Sequence, residues 1–437
     1  MSQNPMQNTQ NLNNVLKPKV FFKTFGCRTN LFDTQIMINA LKDFEVTLNE
    51  EISDIGIINS CAVTNGAESA ITNYTNRLKN EGKRVYFTGC GVKMQGKALL
   101  DKGVVFAVFG HSLKENLNTL LLKNQSFYLE GDLESLDSSI IGDFVGKSRA
   151  FIKIQEGCDF ACSYCIIPSL RGKARSFTQD KILTQIQKLC DKGFSEFILT
   201  GTNLGSWGKE WDSHLAKLLF RIFSIQGVKR LRIGSLEPSQ INEEFLEAIQ
   251  NPLFERHLHI ALQHTSPFML KLMNRQNTFE NDFKLFWRLK ELGFALGSDF
   301  IVGHPKESKE IWEEAYRNLQ SLPLTHCHSF IYSPRSHTPS SLLKPDVPHR
   351  IAKERKQQIQ TLIQKNNHKA RQLYSYQKIP LKVLVEEVNE TQGEVFYRGF
   401  DQFYNKVKIH SHQEITKDSW LTIPHFTAKE EENYAQI

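Results

Sequence analysis

The sequence predicts an α/β protein in three parts. These are an amino-terminal parallel-sheet domain over residues 17–131, a central, incomplete TIM-like barrel of six β/α units over 144–375, and a small carboxyl-terminal β-barrel over 376–437. Three observations carry this prediction. Short apolar runs alternate with helical patterns up to residue 109 and again after residue 149, as expected of βα repeats and parallel sheets. A polar stretch, 130–147, separates the two series as a linker. Past residue 380 the helical pattern gives way to strand-like runs. A chain of 437 residues, 40% hydrophobic and 23% charged, suits about three globular domains of ~150 residues each.

Residues 1–16 are polar, rich in Asn and Gln, and expected to be disordered. They lack the apolar h-region of a secretory signal. No run approaches the ~18 apolar residues of a membrane span. Eight cysteines in this length read as metal ligands or core residues rather than a disulfide scaffold. Together these features predict a cytoplasmic protein with no membrane partner.

In the first domain, the apolar run 20–25 leads into Gly26-Cys27 and a helical pattern over 33–41. The run 55–60 ends at Cys61, and a helical stretch covers 68–79. Val85 to Thr88 leads into Gly89-Cys90, and a last strand is expected over 104–109. Parallel strands share one carboxyl edge, where open α/β sheets bind ligands. Cys27, Cys61 and Cys90 each sit just past a strand end, so they are expected to converge. Three unrelated core thiols are the alternative.

The barrel strands are expected near 150–155, 197–201, 230–235, 258–262, 295–302 and 329–332, with helices such as 181–192 and 279–292 between them. Barrel chemistry sits in the loops after the strands. Here those loops are polar or glycine-bearing: Thr200 to Gly205, Ser235-Leu236-Glu237-Pro238, Gln263-His264-Thr265-Ser266, Gly303-His304-Pro305 and Ser333-Pro334-Arg335-Ser336. Cys190 falls in a helical pattern and Cys327 just before a strand, and both read as core thiols. His326, Cys327 and His328 are consecutive, but strand neighbours point to opposite faces, which argues against one metal site made of them.

Residues 349–380 predict a basic helix with eight Lys or Arg against one Glu, which accounts for the whole net charge of +7. Its cations, among them Lys353, Arg355 and Lys356, form either a solvated face or a contact for phosphates. The tail, 381–437, is acidic, with six Lys or Arg against ten Asp or Glu. Strand-like runs at Val383 to Val385 and Val407 to Ile409, with turns at Gly393 and Gly399, predict its small barrel.

The stretch most dense in chemistry is 154–176, where Cys158, Cys162 and Cys165 stand in a C-x3-C-x2-C spacing after the first barrel strand. Thiolates bind iron and zinc tightly. A closed zinc site would want a fourth local ligand, and Ile166, Ile167 and Pro168 follow instead. Three thiolates on a four-iron cube leave one iron open. A zinc loop or unrelated core cysteines are the alternative. The spacing resembles the radical S-adenosylmethionine (SAM) superfamily, whose open iron binds the amino and carboxylate groups of SAM.

With the three amino-terminal cysteines added, the chain after residue 17 resembles the radical-SAM methylthiotransferases. Their order is a methylthiotransferase domain, a radical-SAM barrel and a TRAM domain. The resemblance implies two 4Fe-4S clusters, one on Cys158, Cys162 and Cys165, the other on Cys27, Cys61 and Cys90. It implies methylthio transfer to an unactivated carbon, on a tRNA adenosine beside the anticodon or on a ribosomal protein. Such a C–H bond needs a radical, which the cofactor supplies and the protein positions. The first cluster would reduce SAM to methionine and a 5′-deoxyadenosyl radical, and the second would present a sulfur methylated by another SAM.

Gly26-Cys27-Arg28-Thr29-Asn30 and Asn59-Ser60-Cys61-Ala62-Val63-Thr64 are similar to the branch acting on N6-threonylcarbamoyladenosine at tRNA position 37. Tyr164, Asn203 and Glu237 would then contact SAM, with loop capping as the alternative role. Arg28 would hold the threonyl carboxylate by two parallel hydrogen bonds, or make a structural salt bridge. Lys353, Arg355 and Lys356 would contact the anticodon stem-loop. An electron donor and a sulfur source are implied as partners. The chain departs from the family at Gly303-His304-Pro305-Lys306, where Gly-Phe-Pro-Gly is frequent. It departs again at Gln263-His264-Thr265-Ser266, where Gln-Ser-Gly-Ser is frequent, and at Ser336-His337-Thr338, where Gly-Thr is frequent after the arginine. The rivals are methylthiolation of isopentenyladenosine tRNA or of a ribosomal protein, and a non-enzymatic iron–sulfur RNA-binding protein.

Overall fold

The computed structural model describes residues 17–62, 65–391 and 394–437. The expectations for 1–16, Val63, Thr64 and Gly393 lie outside the described residues. In the first domain, strands β1 (Lys19–Thr24), β2 (Glu45–Val46), β3 (Ile55–Ser60), β4 (Arg84–Gly89), β5 (Ala107–Phe109) and β6 (Tyr128–Leu129) form one parallel sheet in the order β2-β1-β3-β4-β5-β6. The central strand β3 is buried throughout, because helices cover both faces, and a doubly covered strand reads as a continuous apolar run. The first helix, Arg28–Ala40, starts directly after Cys27 rather than at 33. Arg28, Thr29 and Asn30 are polar and hide its start from the apolar period, yet Thr29 and Asn30 are buried against neighbouring elements.

The strands β7 (Ala150–Lys153), β8 (Gln155–Glu156), β9 (Arg175–Ser176), β10 (Glu196–Thr200), β11 (Arg230–Ile233), β12 (His257–His259), β13 (Ala295–Val302) and β14 (Leu324–Ile331) follow. Parallel pairs run β7-β10-β11 and β12-β13-β14. Parallel bridges at Leu231↔Phe254 and Leu236↔Ile260 join the halves into one open, six-stranded barrel wall. The helices Gln179–Cys190, Phe279–Glu291 and Lys309–Gln320 begin at side-chain caps on Thr178, Thr278 and Ser308, each satisfying an orphan backbone donor. Strand β14 starts at Leu324, five residues ahead of the expected 329. The helix Arg28–Ala40 packs on β7 and the helix His349–Tyr376 on β14, at the two edges of the wall. Among the described residues the stretch 130–147 carries no helix or strand, but it is not a free linker. Ile141 and Phe144 are each 1% exposed within the barrel core.

The tail strands are β15 (Leu381–Thr391), β16 (Glu394–Phe400), β17 (Lys406–His410), β18 (Trp420–Ile423), β19 (Thr427–Ala428) and β20 (Asn433–Gln436). They form one sheet, β18-β15-β16-β17-β20-β19, curled as a half-barrel around Val383, Tyr397, Val407 and Ile409. Gly399 lies inside β16 rather than at a turn. A Cβ there would come within 2.0 Å of the Leu384 carbonyl oxygen. The tail docks under the barrel. Arg230 donates to the Lys382 and Phe400 carbonyls at 2.9 and 3.1 Å, and Arg149 pairs with Glu386 at 3.0 Å. Among the described residues no helix is long and apolar enough to cross a membrane.

Candidate functional site

The loop after β8 is shaped by Gly157, at φ +77°, where a Cβ would meet the Lys173 carbonyl oxygen at 1.9 Å. Only glycine accommodates that approach. The loop turns back on itself through Cys165 N–H to the Cys162 carbonyl, 3.0 Å, and Cys158 N–H to the Gly172 carbonyl, 3.0 Å. Hydrogen-bond donors surround the sulfurs. Phe160 N–H lies 3.4 Å from Cys158 Sγ, Asn203 Nδ2 3.7 Å from the same sulfur, and Arg275 Nη1 3.6 Å from Cys162 Sγ. Burial pushes the Cys165 thiol up to about 12 and raises Cys158 as well. Without a metal both carry protons at neutral pH, and metal binding must displace them.

The second set assembles from three strand ends. Asn30 Oδ1 lies 3.9 Å from Cys27 Sγ and 4.0 Å from Cys90 Sγ. A Cβ on Gly26 would sit 3.1 Å from Cys61 Sγ. The side chains flanking these cysteines tie the ends together. Asn30 Nδ2 donates to the Phe25 and Ser60 carbonyls at 3.0 and 2.8 Å. Asn59 Nδ2 donates to the Asn30 carbonyl at 2.8 Å, and Ser60 Oγ to the Thr88 carbonyl. Burial pushes the Cys90 thiol up to about 11, opposed by Arg171, whose Nε lies 3.3 Å from the sulfur.

Each set brings thiols together beneath hydrogen-bond donors, Phe160 N–H, Asn203 and Arg275 toward the first and Arg171 toward the second, which is donor chemistry that an iron–sulfur cluster accepts.

Arg171 ends the short helix Ile167–Arg171 that follows the barrel cysteines, and from there it reaches the amino-terminal set. Its Nη2 reaches Asn30 Oδ1 at 2.8 Å and its Nη1 reaches Asp33 at 2.9 Å and Glu156 at 2.5 Å. Lys153 adds bonds to Asp33 and Asp137, both at 2.6 Å, and Lys114 pairs with Asp137. Three carboxylates thus balance three cations in a buried bolt between the first domain, the stretch 130–147 and the barrel. Thr29 Oγ1 lies 3.3 Å from Thr200 Oγ1 across the same junction.

Tyr164 lines a cavity of about 290 Å³ with Cys165, Gln263, Asp299, Ile301 and Arg335. Asn203 Oδ1 is buried beside Cys158 with no protein partner among the described residues. Glu237 is spoken for. Both its oxygens bond Arg275, at 2.9 and 2.5 Å, which aims that guanidinium at Cys162. Arg28 donates to Tyr404 Oη at 3.0 Å and adds its charge to the surroundings of His257 and Glu255 in the barrel. Lys353 is exposed and Lys356 half-buried. Arg355 is 5% exposed. It pairs with Glu307 at 3.0 Å and donates to that residue's carbonyl at 2.8 Å, so it braces the fold and is removed from the phosphate contacts.

The loops that depart from the family support the cysteine loop. His304 Nε2 lies 2.8 Å from Ser340 Oγ, which lies 2.9 Å from Ser163 Oγ. Cys190 and Cys327 pack against the barrel core as expected, and burial pushes the Cys327 thiol up to about 12.

Residues 152–319 match the radical SAM superfamily, and residues 19–110 match the family described as "Uncharacterized protein family UPF0004". A "Putative methylthiotransferase" of Helicobacter pylori strain J99 is 52% identical over 95% of this chain and 99% of its own length. The threonylcarbamoyladenosine tRNA methylthiotransferase MtaB of Aquifex aeolicus is 32% identical, covering 91% and 98%. A tRNA-2-methylthio-N(6)-dimethylallyladenosine synthase of Protochlamydia amoebophila is 31% identical, covering 92% and 96%. In fold, the chain is similar to the radical SAM methyltransferase TsrM of Kitasatospora setae, with a TM-score of 0.56 at 15% identity over 74% of this chain and 75% of that one. The chain belongs to the radical SAM methylthiotransferase family. It is an enzyme of the class that uses SAM and a 4Fe-4S cluster.

Proposed function

We propose that this enzyme adds a methylthio group to C2 of N6-threonylcarbamoyladenosine at position 37 of tRNA, with two 4Fe-4S clusters. The observation that carries the reading is the adjoining of the two cysteine sets across Arg171, which contacts Cys90 at 3.3 Å from the helix Ile167–Arg171 just past Cys165. Cys158, Cys162 and Cys165 would hold one cluster, and Cys27, Cys61 and Cys90 would hold the other. When bound, the clusters and SAM supply the radical and the sulfur that the transfer needs. The chain's own residues position these groups. Phe160 N–H, Asn203 and Arg275 donate toward the first set of sulfurs, and hydrogen bonds of this kind tune a cluster's potential. Asn203 Oδ1 offers an acceptor for an amino group, Tyr164 walls the cavity, and Glu237 acts by orienting Arg275.

The relatives with substrate names divide between threonylcarbamoyl and dimethylallyl adenosine. Arg28 favours the first, because a guanidinium binds a carboxylate and gains nothing from an isoprenoid chain. Tyr404 holds its orientation. Lys353 and Lys356 contact phosphates of the anticodon stem-loop. Such a substrate places the enzyme in the cytoplasm, where it draws on an electron donor and a sulfur source. The test offers both modified stem-loops with SAM and a reductant, without oxygen, and reads nucleosides by mass spectrometry. Product from the threonylcarbamoyl stem-loop is expected. Product from the isopentenyl stem-loop alone overturns the reading, and product from neither turns attention to a ribosomal protein.

A further inference from the structure

Strands β12, β13 and β14 carry a cluster of imidazoles on one face. The period of two along a strand puts His257 and His259 on that face of β12, Gly297 and Asp299 on that of β13, and His326 and His328 on that of β14. The pairing sets His259 beside Gly297, and Asp299 beside His328. Gly297 makes the room. A Cβ there would lie 2.8 Å from His259 Nδ1 and 3.0 Å from His257 Nε2. The imidazoles can approach one another only because this position lacks a side chain.

His259 Nε2 lies 3.1 Å from Asp299 Oδ2, and His328 Nδ1 lies 3.4 Å from the other oxygen, Oδ1. The two rings stack with centroids 5.0 Å apart. Ser235 Oγ, at 3.4 Å from Asp299 Oδ2, is a further polar neighbour. Among the described residues this is the single set of three or more His, Cys, Asp or Glu whose ligand atoms all lie within 4.8 Å of one another. Two ligands about 2.1 Å from a shared ion, at tetrahedral or octahedral angles, stand roughly 3.0–3.4 Å apart. The two His–Asp spacings fall in that range, each to its own oxygen of the one carboxylate, and 3.4 Å is long for a hydrogen bond.

We propose that His259, Asp299 and His328 bind one zinc-like divalent ion, distinct from the cysteine sets, with its open positions turned to the cavity. Two imidazoles and one carboxylate suit zinc or ferrous iron and leave places for oxygen ligands. Asp299 lines the cavity that Tyr164 and Cys165 also line, so an oxygen-bearing ligand there can reach the ion. The proposal is independent of which tRNA base is modified. The sequence pattern argued against a site made of His326, Cys327 and His328, and that argument stands. The site instead takes one residue from each of three adjacent strands.

The test uses the full chain with its clusters reconstituted, loaded with Zn²⁺ and freed of excess by gel filtration. Zinc is counted by mass spectrometry, and its ligands are read by X-ray absorption at the zinc edge, where cluster iron does not interfere. The expected result is about one zinc per chain with a nitrogen and oxygen shell at roughly 2.0–2.1 Å. His328→Ala and Asp299→Asn should each release it. The His328 side chain is 64% exposed, so its removal leaves the fold intact, and the unchanged cluster absorbance of that variant checks this. No retained zinc, a sulfur shell at roughly 2.3 Å, or zinc undiminished in both variants overturns the proposal. The first outcome would leave a hydrogen-bonded His–Asp–His chain.

Discussion

The two cysteine sets solve one problem in opposite ways. In the barrel, Cys158, Cys162 and Cys165 lie in one loop, bent by Gly157 and closed by its own backbone hydrogen bonds. In the first domain, Cys27, Cys61 and Cys90 come from three strand ends, held by Asn30, Asn59 and Ser60 and backed by Arg171 from the barrel. The first set sits on one short stretch of chain, which bonds from Met273, Asn274 and Ser340 in neighbouring barrel loops brace. The second depends on the sheet, on side chains outside the set, and on the docking of another domain. The comparison teaches that the second site should fail first when the domain junction is loosened.

The largest break in that comparison is at the junction. Asp33→Ala removes the carboxylate shared by Lys153 and Arg171 and leaves buried cations uncompensated. Losing one partner of such a group costs about 3–5 kcal/mol. Urea unfolding should show that loss. Iron held by the amino-terminal set should fall while iron held by the barrel loop persists, read as a drop toward half the iron per chain.

A smaller effect comes from protons. His111 packs against Glu156 at 3.5 Å, and burial lowers its pKa to about 3. The unfolded chain protonates this histidine below pH ~6.5, and the folded chain does not. Its stabilising share is therefore complete above that pH and is lost as pH falls from there toward the folded value. The slope is up to about 1.4 kcal/mol per pH unit. Melting temperatures at pH 7.5 and 5.5 should differ less in His111→Gln than in the unaltered protein.

The smallest effect concerns the basic helix. Lys353→Gln with Lys356→Gln should leave stability near its original value and flatten the salt dependence of tRNA binding, by up to roughly 0.9 in log–log slope per lost contact. Arg355→Gln should do the reverse, because it leaves Glu307 buried without its partner. Binding measured across salt concentrations, beside thermal melts, separates the two behaviours.

These outcomes follow what a sequence can and cannot display. The cysteines were legible because their chemistry is rare and their places regular, one set by spacing and the other by its position after apolar runs. Arg171 stood in plain view beside Cys165, but only the docked domains reveal that it reaches Cys90. Arg355 was misread because a charge count does not say which face of a helix a cation occupies. The His259, Asp299 and His328 set was hidden because its members lie on separate strands and touch only through pairing. Lys306 and His337 hold φ values of +72° and +68°. The backbone keeps the left-handed turns for which relatives often use glycine, at a strain of about 1–2 kcal/mol each. Residue type alone would have suggested a different loop.

The central claim is that two sites divide the work, and one variant tests it. Cys27, Cys61 and Cys90 are changed together to Ala, and the reconstituted protein is given SAM, a reductant and the threonylcarbamoyl stem-loop without oxygen. The account predicts that 5′-deoxyadenosine still forms and that no methylthio nucleoside appears. Methylthio product from this variant would contradict it, as would loss of SAM cleavage in a protein whose barrel loop still holds its iron.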